Sequence, residues 1–225
     1  MFLEDAGYDW KLLGPDVSDL DYVAWQADQD AYACSGQKCS AQSMLIMHTN
    51  WRKAGLLDEL RARAATRKLS DLTIGPVLTW TTSAMLEHTR KLLALPGATA
   101  RRDNGCQYLR VAALVGVCLA SCALLPYLTC STWRHVTHTG AELLWGGKPL
   151  QGHSIPECYG AIEPTAVFVP LATLSDPSAF ALATTEVFGP FQVITQYDGA
   201  LPAVWLNMAA HHSGRNWQLG AHALL

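Results

Sequence analysis

The chain has 225 residues, of which 50% are hydrophobic and 16% charged, with a formal net charge of −3. That is enough apolar material for a packed core, with fewer charges than the roughly 25% usual in soluble domains, and nothing in the balance points to nucleic acid or an anionic membrane surface. Seven cysteines, an odd and irregularly spaced set, argue against a disulfide framework and for a reducing compartment.

In chain order, Leu3-Glu4-Asp5-Ala6-Gly7 reads as the end of an apolar strand running into a turn, and Gly14-Pro15-Asp16 as a second turn. Ser18 or Asp19 caps a helix whose Leu20, Val23, Ala24 and Ala27 fall at helical spacing. That helix leads to a small-residue stretch holding Cys34 and Cys39, and Met44 to Met47 follows as a short buried strand. Asn50 caps the next helix, with Leu56, Leu57, Leu60 and Ala64 on one face and Arg61, Arg63, Arg67 and Lys68 on a solvated one. A turn-rich stretch over Asp71–Val77 precedes a helix that starts near Thr81 or Thr82 and stops at Pro96-Gly97. Further on come a strand over Ala141–Trp145 closed by two glycines, a strand between Pro164 and Pro170, a short helix opened by Pro177, and a strand from Phe191 to Tyr197. Strands alternating with helices predict an α/β fold with a mainly parallel sheet and flanking helices.

The chemistry gathers at Gly36-Gln37-Lys38-Cys39-Ser40-Ala41. A cysteine attacks as thiolate, which a neighbouring cation such as Lys38 favours, and the small Ser40 and Ala41 leave the sulfur uncrowded. The residues alone leave a second reading open, in which Cys39 is a buried small hydrophobe. This hexapeptide resembles the nucleophile signature of the aldehyde dehydrogenase superfamily. Downstream, Glu186-Val187-Phe188-Gly189-Pro190-Phe191 resembles that superfamily's second signature, and Asp28 to Cys34 resembles most closely the plant-type delta-1-pyrroline-5-carboxylate dehydrogenases. The resemblance covers roughly residues 2–98 and 140–204.

The resemblance implies an incomplete aldehyde dehydrogenase catalytic domain. The implied reaction is NAD-dependent oxidation of an aldehyde, glutamate semialdehyde in proline breakdown, to the acid. Cys39 is then the nucleophile, with its own N–H stabilising the oxyanion. Glu4, with Asp5 as fallback, is the carboxylate that activates the hydrolytic water. It sits where the superfamily has Glu-x-Gly-Gly-Lys, but here Ala-Gly-Tyr replaces the Gly-Gly-Lys. The resemblance assigns Glu186 and Phe188 to the nicotinamide ribose of NAD and Ser40 to the substrate, while Cys34 is read as structural. No metal is implied. The family is homo-oligomeric, but its oligomerisation strand and its phosphate-binding cofactor domain are not visible, so the alternative is a truncated, non-catalytic or mis-spliced product. Its location is mitochondrial by resemblance, although Met1 to Ala6 carries no targeting signal.

Between the two matching parts, residues 101–139 break the pattern, with no charge from Val111 to Trp133 and four of the seven cysteines. A transmembrane helix is weakened by Pro126 and the Ser/Thr content, and a metal site at Cys130, His135 and His138 by the lack of a fourth ligand. The reading favoured is translated non-coding sequence such as a retained intron, poorly packed or disordered. The expected organisation is therefore 1–100 with the nucleophile motif, 101–139 foreign to the family, 140–204 with the second motif, and a foreign tail over 205–225.

Overall fold

The computed structural model describes residues 8–95 and 140–199. Glu4, Asp5, the stretch 101–139 and the tail 205–225 lie outside the described residues, and so do the expectations that fall on them. Five strands form one sheet: β1 (Asp9–Leu13), β2 (Gln42–His48), β3 (Glu142–Trp145), β4 (Thr165–Phe168) and β5 (Phe191–Tyr197), in the spatial order β1-β2-β5-β4-β3. Three pairings are parallel and only β3 on β4 is antiparallel, so the α/β expectation holds. Of the described strands, β5 lies at the centre, where it joins the two described stretches into one sheet.

Both faces of the sheet are covered, which is why the middle of β2, Met44–Met47, is an unbroken apolar run. Leu45 and Met47 face one core with Ala27, Tyr32, Trp51 and Leu60, while Met44 and Ile46 face the other with Val77, Met85, Val193 and Phe180. The first core is built by α1 (Leu20–Tyr32), α2 (Thr49–Lys53) and α3 (Leu56–Ala65), and the second by α4 (Thr82–Leu93) and α5 (Pro177–Ala183). Each fully buried Leu or Met contributes about 1.5–3 kcal/mol by leaving water.

Local chemistry sets the ends of the helices. The Asp19 carboxylate caps α1 by accepting from Tyr22 N, and the Thr81 hydroxyl caps α4 by accepting from Ala84 N. Asp176 caps α5 with two accepted bonds, and Pro177 occupies its first turn, where the lost N–H costs nothing. Asn50 is not a cap: it lies inside α2, whose cap is the His48 imidazole Nδ1, and α3 opens on Gly55 with no side-chain cap.

The arginine after α3 corrects a second expectation. Arg67 is not solvated. It pairs with Asp28 of α1, the two side chains only 7% and 6% exposed, and its guanidinium lies 5.9 Å from the Tyr32 ring centroid. It also donates to the Thr73 carbonyl at 3.2 Å, which pins the loop that carries Gly75 and Pro76 towards the site.

Candidate functional site

Leaving α1, the chain makes three consecutive left-handed residues: Cys34 (φ 55), Ser35 (φ 58) and Gly36 (φ 68). Two of these are not glycine, a conformation that costs on the order of 1–3 kcal/mol per residue and persists where surroundings fix it. Here the buried Ser35 hydroxyl accepts from Gly75 N at 2.7 Å. The Gln37 side chain clasps the same loop, donating to the Pro76 carbonyl at 2.8 Å and accepting from Leu78 N at 3.0 Å. A turn closed by Ala41 N on the Lys38 carbonyl, at 3.0 Å, then carries Cys39 and Ser40 at its tip, just before β2.

Cys39 and Ser40 are exposed, which rules out the reading of Cys39 as a buried small hydrophobe. Cys34 is exposed too, so it is no core packing residue. Lys38 departs from its expected part: its ammonium donates to the Gln29 carbonyl in the last turn of α1, at 3.0 Å. A cation suits that end of a helix. Lys38 also lies near enough to Lys11 to lower its pKa, although burial is the larger cause and the Lys11–Asp30 pair opposes both.

The second motif lies in the segment between α5 and β5. Glu186 and Phe188 are half-buried there, and Phe188 is held at φ 47, a rare conformation for a bulky side chain. Burial, and then the nearby Asp9, raises the Glu186 carboxyl above its ordinary value, and burial raises Asp9 as well. No described residue hydrogen-bonds the Glu186 oxygens.

Backbone contact brings the two motifs together. A Cβ on Gly36 would lie 2.1 Å from the Gly189 carbonyl oxygen and 3.0 Å from that of Ala31, so only glycine fits. Gly189 in turn packs on Val77 and Met85, and its carbonyl accepts from Phe191 N at 2.7 Å. Between the two segments runs a narrow cleft lined by Gly36, Lys38, Gln42, Glu186, Phe188 and Gly189, among others. Tyr8 forms part of its wall, and its hydroxyl donates to the Ala183 carbonyl at 2.7 Å. Behind it, His88 is wedged edge-on between Trp80 and Phe191, and burial lowers its pKa to about 4, so it is neutral near pH 7. A second cleft, between α3 and β3, contains none of the expected site residues.

Of the residues singled out in the sequence, the structure gathers Glu186 and Phe188 on the cleft and sets Cys39 and Ser40 in the turn between two of its lining residues, Lys38 and Ala41. Glu4 falls outside the described residues. Sequence reasoning passed over Gln42 and Tyr8. A glutamine opening an otherwise apolar strand was the one signal for Gln42.

The sheet thus carries an exposed cysteine turn whose Gly36 meets Gly189 of the loop that bears Glu186. No protein-family model matches the chain. It is 50% identical over 196 residues to the mitochondrial delta-1-pyrroline-5-carboxylate dehydrogenase 12A1 of Arabidopsis thaliana, a match covering 87% of this chain and 28% of that protein. It is 49% identical over 203 residues to a probable aldehyde dehydrogenase of Linum usitatissimum, covering 90% and 29%. Among solved structures, gamma-glutamyl-gamma-aminobutyraldehyde dehydrogenase of Burkholderia cenocepacia matches with a TM-score of 0.50 at 19% identity, over 87% of this chain and 29% of that one. Aldehyde dehydrogenase C of Pseudomonas syringae, solved with NAD+ and octanal, also has a TM-score of 0.50 at 19% identity, over 86% and 30%. By sequence and fold the chain belongs to the aldehyde dehydrogenase superfamily. It spans 28–29% of the length of the curated relatives it matches.

Proposed function

We propose that the chain carries the nucleophile and nicotinamide-side residues of an enzyme that oxidises glutamate semialdehyde, the open form of pyrroline-5-carboxylate, to glutamate. The observation that carries this reading is the seating of Gly36 on Gly189, which puts the cysteine motif and the Glu186–Gly189 motif on one cleft.

The Cys39 thiolate attacks the aldehyde carbon. A C–S bond forms, the carbonyl π pair moves to oxygen, and the Cys39 N–H donates to that oxyanion. Ser40, at the same turn tip, contacts the substrate. The chemistry that NAD supplies when bound is two-electron oxidation of this adduct to the Cys39 thioester. A carboxylate, assigned to Glu4, then takes a proton from the water that hydrolyses the thioester.

The Glu186 and Phe188 pair fits the nicotinamide ribose. A half-buried carboxylate that accepts nothing from the described residues has both oxygens available for two vicinal hydroxyls, and Phe188 lines the same cleft. These contacts reach one end of the dinucleotide. A hydrogen bond to a charged group is worth about 1.5–3 kcal/mol, against an association cost of about 4–15 kcal/mol. By itself the chain therefore binds NAD no better than about millimolar and turns over poorly, which calorimetric titration would check.

The test of the nucleophile and substrate class needs no cofactor. Pyrroline-5-carboxylate solutions should protect Cys39 from iodoacetamide through reversible adduct formation, while glutamate should not. Equal labelling under both conditions would remove this reading.

We also propose a mitochondrial location, after the Arabidopsis relative. A second reading treats residues 101–139 as unspliced sequence and 205–225 as a foreign tail, leaving a product that does not act alone. The sharp change of composition at the 101–139 boundaries favours it. Transcripts joining the codon of Ala98 directly to that of Ala141 would bear it out, and abundant reads through 101–139 would end it.

A further inference from the structure

Behind the cleft a line of polar groups is buried. Tyr32 of α1 and Gln192 of β5 are fully buried, and Gln42, the first residue of β2, is 3% exposed. The Gln42 Nε2 donates to Gln192 Oε1 at 2.7 Å, and Gln192 Nε2 donates to the Tyr32 hydroxyl at 2.8 Å. The Trp145 Nε1 donates to the same hydroxyl at 2.9 Å, and the hydroxyl donates to the Thr165 carbonyl at 3.1 Å.

The direction of this chain is set at its far end. An indole N–H can only donate, a carbonyl can only accept, and a tyrosine hydroxyl has one proton and two lone pairs. Thr165 takes the proton and Trp145 one lone pair. Gln192 must therefore turn its NH2 to Tyr32 and its oxygen to Gln42. Gln42 must then turn its NH2 to Gln192, because an oxygen there would face an oxygen. The Gln42 Oε1 is left over, buried and without a partner among the described residues.

Gln42 follows the Lys38–Ala41 turn directly, lies opposite Asp9 in the ladder with β1, and lines the cleft with Glu186 and Phe188. We propose that Gln42 is a positioning residue for Cys39: the directed polar chain fixes its side chain against β5 and so fixes the foot of the turn that presents the thiol. The proposal rests on the reading of Cys39 as nucleophile. It explains why an unsatisfied carbonyl is retained at the edge of this cleft, where leucine would fill the space without that penalty.

The test is alkylation of the full chain by iodoacetamide across pH, with Cys39, Cys34 and Cys158 followed by peptide mapping. In the unaltered chain Cys39 should react faster than Cys158 at neutral pH. In Gln42→Leu/Gln192→Leu, which removes both amides together, the Cys39 rate should fall several-fold and its pH profile should converge on that of Cys158. Gln42→Glu keeps the shape and decides the matter if the double variant does not fold. While protonated, the introduced carboxyl can donate to Gln192 and leave the Cys39 rate equal to that of the unaltered chain at the same pH; once ionised it cannot, and the ratio of the two rates should fall as pH rises. A fast Cys39 with an unchanged profile in a folded variant would overturn the proposal alone. A Cys39 no faster than Cys158 in the unaltered chain would remove the nucleophile reading, and the proposal with it.

Discussion

The two walls of the cleft are held in different ways. On the nucleophile side each turn is tied by a side chain to something behind it: Ser35 to Gly75, Gln37 to Pro76 and Leu78, Lys38 to Gln29, Gln42 to Gln192. On the other side, Val187 is reached by a single long bond from the Thr79 hydroxyl, at 3.4 Å, Phe188 is held in a left-handed conformation, and Glu186 has no hydrogen bond from the described residues. The wall assigned to covalent chemistry is the more heavily hydrogen-bonded of the two, an arrangement that suits holding a reacting atom in place. The wall assigned to a dissociable ligand carries a carboxylate, Glu186, with no hydrogen bond from the described residues.

If the nucleophile wall is the more firmly held one, its supports should be the costly ones to cut. Asp28→Ala strands the buried Arg67 guanidinium beneath Tyr32 and should cost about 3–5 kcal/mol, read from the denaturation midpoint. A cost within that of an ordinary surface substitution would mean that Arg67 finds water. Tyr32→Phe keeps the ring but leaves the Trp145 N–H, a Gln192 N–H and the Thr165 carbonyl without their partner. At about 1–3 kcal/mol for a buried orphan group, a loss of at least 2 kcal/mol is expected.

The other wall should respond in the opposite direction. The folded chain raises the Glu186 carboxyl, chiefly by burial, so between its unfolded and folded pKa values the folded state holds more protons. Stability from this group is present at acid pH and is lost as pH rises through the folded pKa. Glu186→Gln should therefore raise Tm at pH 7, on the order of one or two degrees, with the gain vanishing towards pH 4. A variant less stable than the original at pH 7 would show that Glu186 has a partner in the folded chain.

The elements with strong local signals were legible in the sequence. The Phe191–Tyr197 strand, the Pro177 helix start, the start of α4 near Thr81 or Thr82 and the buried face of α3 all stand as read. β1 was not, because Asp9-Trp10-Lys11-Leu12-Leu13 is mixed in character and becomes a strand through its pairing with β2 and the Lys11–Asp30 ion pair. Arg67 was misjudged because helical spacing stops informing beyond Ala65, where the chain turns back beneath α1. Lys38 shows that the neighbour of a cysteine in sequence can direct its charge elsewhere. The two motifs were visible as residue patterns. Their contact was not, since nothing local to Gly36 foretells a carbonyl arriving from Gly189.

That contact is tested most directly by hydrogen exchange in Gly36→Ala. A methyl group at Gly36 would meet the Gly189 carbonyl at 2.1 Å, so the second motif must give way. The amides of Phe191, which donates to the Gly189 carbonyl, and of Thr165, which donates to the Pro190 carbonyl, should lose protection in the variant, while those of α3 keep theirs. Changes confined to residues 33–41, with the Phe191 and Thr165 amides unaltered, would contradict a site built by the meeting of the two motifs.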